Sequence, residues 1–115
     1  MPLLIEHRDV KPGVLVIALA GRVMLGAESA QIETLVQELL KQGRRHFIFD
    51  LSGVTHIDST GIGRFISSLN MTRREGGSLR MAGASGQVRD SFRVTRLDTI
   101  FKFYPDVERA SQDLA

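Results

Sequence analysis

The chain has 115 residues, 43% hydrophobic and 24% charged, with a formal net charge of +2, which is the size of one domain and the balance of a globular chain rather than a disordered one. The absence of cysteine excludes disulfides, thiolate metal sites and cysteine nucleophiles. No run approaches the ~20 apolar residues of a membrane span, and the start M-P-L-L-I-E-H-R lacks the basic and long apolar segments of a signal peptide; a single cytoplasmic domain over residues 1–115, without membrane insertion, is the expectation.

In chain order, Leu3 to Arg8 reads as a short extended segment and Lys11-Pro12-Gly13 as a turn. Val14 to Ala20 is a continuous apolar run, V-L-V-I-A-L-A. A strand covered on both faces reads this way, so helices should flank the sheet, and the first two strands should form an antiparallel hairpin. Gly21 to Gly26 is expected to be a connection. From Glu28 and Ser29 a helix begins in which Ile32, Leu35, Val36, Leu39 and Leu40 make one apolar stripe, with Gly43 just past its end.

A strand is expected around Phe47 to Leu51, followed by a short loop and a helix that opens at Asp58. That helix should bury Ile62, Phe65, Ile66 and Leu69 and turn Arg64, Ser67, Ser68 and Arg74 outward, ending near Gly76-Gly77. Ser78 to Ala82 reads as a further strand. A helix from about Gln87 carries Val88, Phe92 and Leu97 inward. Thr99 to Tyr104 is extended, and Pro105-Asp106 starts a short terminal helix. This alternation gives an α/β sandwich with a four- to five-stranded, mostly parallel sheet, an N-terminal antiparallel hairpin and about four helices. Loops at the carboxyl ends of the strands, Gly21 to Gly26 and Gly53 to Gly61, form the working edge of such a sheet.

The most informative stretch is D-L-S-G-V-T-H-I-D-S-T-G-I-G, Asp50 to Gly63. It places Ser59 at a helix N-terminus, where backbone N–H groups lack intrahelical acceptors and the macrodipole is positive. A cap and a turn account for one such residue. Gly61 and Gly63 exceed that need, since each glycine costs on the order of 1 kcal/mol relative to Ala in a helix. Backbone bared in this way suits an anion at the helix terminus or a protein docking flat on the loop.

The blocks F-D-L-S-G-V-T-H-I-D-S-T-G-I-G-R-F, E-G-G-S-L-R-M-A-G and R-L-D-T-I-F-K-F-Y-P-D-V-E-R-A together resemble the STAS domain of bacterial anti-anti-sigma factors, the anti-sigma factor antagonists. The resemblance implies that Ser59, the serine after the aspartate, is a phosphorylation site. It also implies a cycle: the unphosphorylated form binds an anti-sigma factor, often a serine kinase, and frees a sigma factor; phosphorylation releases the complex, and a phosphatase of the PPM type acting on phospho-Ser59 resets it. The partner surface so implied comprises Asp58, Thr60, Gly61, Ile62 and Gly63 with Arg22 and Met24. Family members commonly carry acidic residues before the first long helix, in a G-E-[IL]-D type pattern. Here the stretch is G-R-V-M, with Arg22 and Met24 in those places. T-R-L at Thr95 to Leu97 replaces a frequent T-G-L.

Other chemistries find less support. His56, Asp58 and Ser59 on a tight loop do not line up an imidazole, a hydroxyl and an orienting carboxylate, and no G-x-S-x-G is present, so an enzyme is not expected. His7, His46 and His56 lack metal-ligand spacing, and no P-loop or Rossmann glycine pattern implies a cofactor. Arg64, Arg73, Arg74, Arg80, Arg89, Arg93 and Arg96 crowd the second half. Without a stacking platform they read as solvated helix faces rather than a nucleic-acid surface, and an acidic protein partner stays open. The alternative to a phosphorylation switch is a fixed STAS docking subunit, in a lipid ABC transporter or a stress-signalling complex.

Overall fold

The computed structural model of the chain describes residues 3–114. Strand β1 (Leu4–Lys11) turns at Pro12-Gly13 into β2 (Val14–Val23), and helix α1 (Ala27–Lys41) leads to β3 (His46–Ile57). Helix α2 (Ser59–Arg74), β4 (Ser78–Ala82), α3 (Gly86–Val94), a 3-10 turn (Leu97–Thr99), β5 (Lys102–Tyr104) and α4 (Val107–Ser111) follow. The five strands lie in sequence order, with β1 antiparallel to β2 and the remaining pairs parallel. This is the expected architecture.

Alternate residues of the apolar strands point to opposite faces. Leu15, Ile17, Leu19, Phe47, Phe49 and Leu51 meet the apolar stripes of α1, α2 and α3 in the larger core. Phe65 of α2 stands edge-on to Phe49 at 5.1 Å between ring centres, and Phe92 of α3 packs edge-on to Phe101 and Phe103 at 5.6 and 5.2 Å. Val14, Val16, Ile48 and Ala82 face the other way, covered by Ala110 and Leu114. Among the described residues, three helices therefore cover one face, and only the short α4 covers the other.

Several residues stand elsewhere than the sequence pattern suggested. Gly21 to Val23 belong to β2 rather than to a connection, and β3 runs on to Ile57 through the expected loop. Pairing of β3 with β4 stops at Asp50–Ala82, whereas pairing with β2 continues to Val23–Ile57. β2 and β3 thus outrun the sheet as a two-stranded ribbon. Ser68 is fully buried, its hydroxyl satisfied by the Arg64 carbonyl at 2.8 Å.

Three arginines are structural rather than solvated. Arg80, 8% exposed, donates to the Ala110 carbonyl at 2.8 Å, ion-pairs with Asp113 and stacks on Tyr104, fastening α4 to the sheet. Arg89 lies 4.0 Å from the centre of the Phe103 ring. Arg64 reaches α1, as described below. Arg96, in the T-R-L segment, has φ 60°, the only positive φ at a non-glycine residue among the described residues. A side chain there costs roughly 1–2 kcal/mol relative to the right-handed region.

Candidate functional site

The tip of the β2–β3 ribbon carries the site. Asp58, in extended conformation, is the N-cap of α2. Its Oδ1 accepts from the Gly61 N–H at 2.8 Å and its Oδ2 from the Leu25 N–H at 2.9 Å. One carboxylate thus caps the helix and ties the β2–α1 loop to it. Burial pushes the Asp58 carboxyl up, but donation from the backbone of Gly61, Leu25 and Thr60 outweighs this and holds it below its ordinary value. The cap is Asp58, so Ser59 is released from capping: it is the first residue of α2, exposed, and its hydroxyl makes no hydrogen bond among the described residues.

The two glycines of the first turns differ. Gly61 is buried, and a Cβ there would come 2.0 Å from the Val23 carbonyl oxygen, so its lack of a side chain lets α2 lie against β2. Ile62 is also buried. Both are thus packed into the domain rather than standing out at the ribbon tip. Gly63 is exposed, with no atom within 4 Å of a Cβ built on it. Thr60, just before them, is half-buried.

Beside the helix end, the loop after β2 presents apolar surface. Leu25 is 78% exposed and Met24 38% exposed. They line a surface hollow of about 280 Å³ together with Arg22, Gly26, Ala27, Glu28 and Ser29. Arg22 is exposed on β2 and pairs across the ribbon with His56 of β3. His56 shares a 3.0 Å hydrogen bond with the Thr55 hydroxyl, and Asp58 is taken up by backbone donors, so these groups form no relay to Ser59.

Two supports escaped the sequence pattern. Arg64, expected to face out, bridges to α1: its guanidinium donates to Ser29 Oγ at 3.2 Å, to Glu33 Oε1 at 2.9 Å and to the Gly26 carbonyl at 3.5 Å. The start of α1 lacks a side-chain cap of its own, and Arg64 fixes it relative to α2. Gln87 of α3 accepts from the Ile57 N–H at 3.0 Å and donates to the Ile57 carbonyl at 3.1 Å. It stands where a neighbouring strand would pair with the end of β3. Glu33 and Gln87 lie 31 and 30 residues from their partners, so no local pattern signals either.

Comparison with known proteins places this geometry. The chain superposes on a candidate anti-sigma factor antagonist of Thermotoga maritima with a TM-score of 0.85 at 22% identity, covering 96% of this chain and 93% of that one. The phosphorylated form of the Bacillus cell fate determinant SpoIIAA gives a TM-score of 0.74 at 18% identity, covering 95% and 98%. A sulfate transporter family protein of Wolinella succinogenes gives 0.76 at 18% identity, covering 90% and 85%. The family model described as the STAS domain matches residues 7–110, most of the length of the chain. The protein belongs to the STAS domain family.

Proposed function

We propose that this chain is an anti-sigma factor antagonist, a binding protein without catalytic activity of its own, whose docking surface is the Met24-Leu25 loop with the first turn of α2 and whose switch is phosphorylation of Ser59. The observation that carries this reading is the division of labour at the ribbon tip. Asp58 does the capping, Gly61 and Ile62 do the packing, and Ser59 is left exposed beside an apolar loop held in place by the same carboxylate. An exposed leucine fixed by a backbone hydrogen bond is an anchor presented at low entropic cost.

The chemistry of a phosphoryl group suits this position. It adds about −1.5 to −2 charges. The positive end of the α2 dipole tolerates that charge, so the domain keeps its fold. A partner packed over Leu25 and Gly63 meets a bulky, solvated dianion beside the Asp58 carboxylate, and the interface is lost. The proposed partners are an anti-sigma factor with serine kinase activity and a PPM-type phosphatase that restores the hydroxyl.

A second reading has its own observation. Arg22, near the end of β2, and Met24, in the loop that follows it, stand where the family commonly has acidic residues, which favours a fixed docking subunit without a phosphorylation cycle. The occurrence of the fold in a sulfate transporter family protein is compatible with such a role.

Incubation with an anti-sigma serine kinase and ATP, followed by phosphosite mapping, separates the two. Under the switch, phosphate appears on Ser59 and not in Ser59→Ala. Ser59→Asp loses at least roughly tenfold in affinity for the kinase, about 1.4 kcal/mol, with an unchanged melting temperature. An unmodified Ser59, or equal affinity of Ser59→Asp and the natural chain, would sink the switch and leave the docking subunit.

A further inference from the structure

β1 is the outer strand of the sheet, and among the described residues no strand pairs with its free edge. Along these eight residues of extended backbone every second residue points its N–H and C=O away from β2, and these open groups are a ready template for a second strand. Charged residues on such an edge ordinarily prevent pairing, because an incoming copy meets like charges. The order of charges here has the opposite effect in one register.

Glu6 and Arg8 are exposed, lie on the sheet face that carries α4, and make no ion pair among the described residues. In an antiparallel pair of identical strands centred on His7, Glu6 of each copy stands directly opposite Arg8 of the other, twice over. Sliding the strands by two residues one way sets Glu6 against Glu6, and the other way sets Arg8 against Arg8. A slip by one residue mismatches the faces altogether. Directly opposed unlike charges favour a strand pair and like charges oppose it, so the sequence E-H-R selects a single self-complementary alignment. The irregularity of β1 between Asp9 and Lys11 falls outside the central Ile5 to Asp9 ladder.

We propose that the free edge of β1 is a self-association surface: two copies pair antiparallel about a two-fold axis at His7, each Glu6 facing Arg8 of the second copy, and the two sheets become one. The surface lies apart from Ser59 and does not depend on the function proposed for that residue. A single strand pair buries less than the ~1,200 Å² of standard interfaces, so the dimer is weak and concentration-dependent.

Sedimentation equilibrium of the full chain up to millimolar concentration, with charge-reversal variants, tests this. Arg8→Glu and Glu6→Arg should each weaken self-association roughly tenfold or more. An equimolar mixture of the two variants should associate as heterodimers, which a mere loss of folding could not produce. Because the chain has no cysteine, register can be read by cross-linking. Residues directly opposite in an antiparallel pair are about 4.5–5.5 Å apart at Cα, inside the range a disulfide spans. His7→Cys should form a covalent dimer on mild oxidation, and Glu6→Cys should cross-link to Arg8→Cys when the two are mixed. A chain that stays monomeric at millimolar concentration, charge reversals without effect, or Glu6→Cys joining itself as fast as His7→Cys would each overturn the proposal.

Discussion

A methyl group added at Gly61 would sit 2.0 Å from the carbonyl oxygen of Val23 and 2.9 Å from the Ile57 side chain, whereas one added at Gly63 would touch nothing. The obstacle at Gly61 is backbone, which cannot rotate away, so accommodation means lifting the first turn of α2 off β2. Overpacking of this kind costs ~1–3 kcal/mol or more. Gly63 is inside the helix and exposed, where Ala is favoured over Gly by up to about 1 kcal/mol. Gly61→Ala is therefore expected to lower the melting temperature and Gly63→Ala to leave it unchanged or raise it. Under the proposed function, Gly63→Ala still weakens partner binding, since the added methyl group lies on the docking side. Thermal unfolding of the two variants checks the first part, and a Gly61→Ala protein as stable as the natural chain would refute the packing role assigned to it.

At the scale of elements, the ribbon formed by the ends of β2 and β3 needs support that the sheet does not provide. β4 stops opposite Asp50, and the carboxamide of Gln87 supplies one acceptor and one donor to Ile57 just before the cap. Gln87→Ala removes both and is expected to cost about 1–2 kcal/mol, the range for a lost hydrogen-bond partner at a partly buried group. Gln87→Glu keeps the acceptor for the Ile57 N–H and loses the donor. Amide exchange at Ile57 should stay slow in Gln87→Glu and become fast in Gln87→Ala; equal exchange in both would remove the strand-like role. The same ribbon explains what the sequence could not convey. The apolar stripe of α1 and the V-L-V-I-A-L-A run are local patterns and were legible. Past Leu51 the buried residues are Val54 and Ile57, a spacing of three, because the β2–β3 register shifts between Ala18 and Ala20 and again between Gly21 and Arg22. A search for alternation sees a loop there. Asp58-Ser59 was legible as a helix start because capping is local chemistry, while the burial of Gly61 and the reach of Arg64 follow from neighbours distant in sequence.

For the whole molecule, two carboxyls outside the large core hold its separate parts together. Asp58 joins the β2–α1 loop to α2, and Asp113 fixes α4 through Arg80 on the opposite face. The hydrogen bond from Arg80 holds the Asp113 carboxyl below its ordinary value, as backbone donors do for Asp58 after offsetting the effect of burial. A carboxyl lowered in the fold contributes stability that is complete above its unfolded value of about 4 and is lost as the pH falls through the lower folded value. Unfolding midpoints should therefore fall on acidification below about pH 4, with the ribbon tip and α4 loosening before the phenylalanine core. Asp58→Asn isolates the first contribution. The Asn side chain can still accept from Gly61, but its second atom is a donor and cannot receive the Leu25 N–H. The variant is expected to be less stable by about 1 kcal/mol at neutral pH, about 4 °C in melting temperature. The difference should shrink as the pH falls through the lowered folded value of Asp58, where the carboxyl of the natural chain becomes protonated too. A gap that stays constant from neutral to acid pH would mean that the charge of Asp58 does not hold the loop, and that Leu25 is kept in place by packing alone.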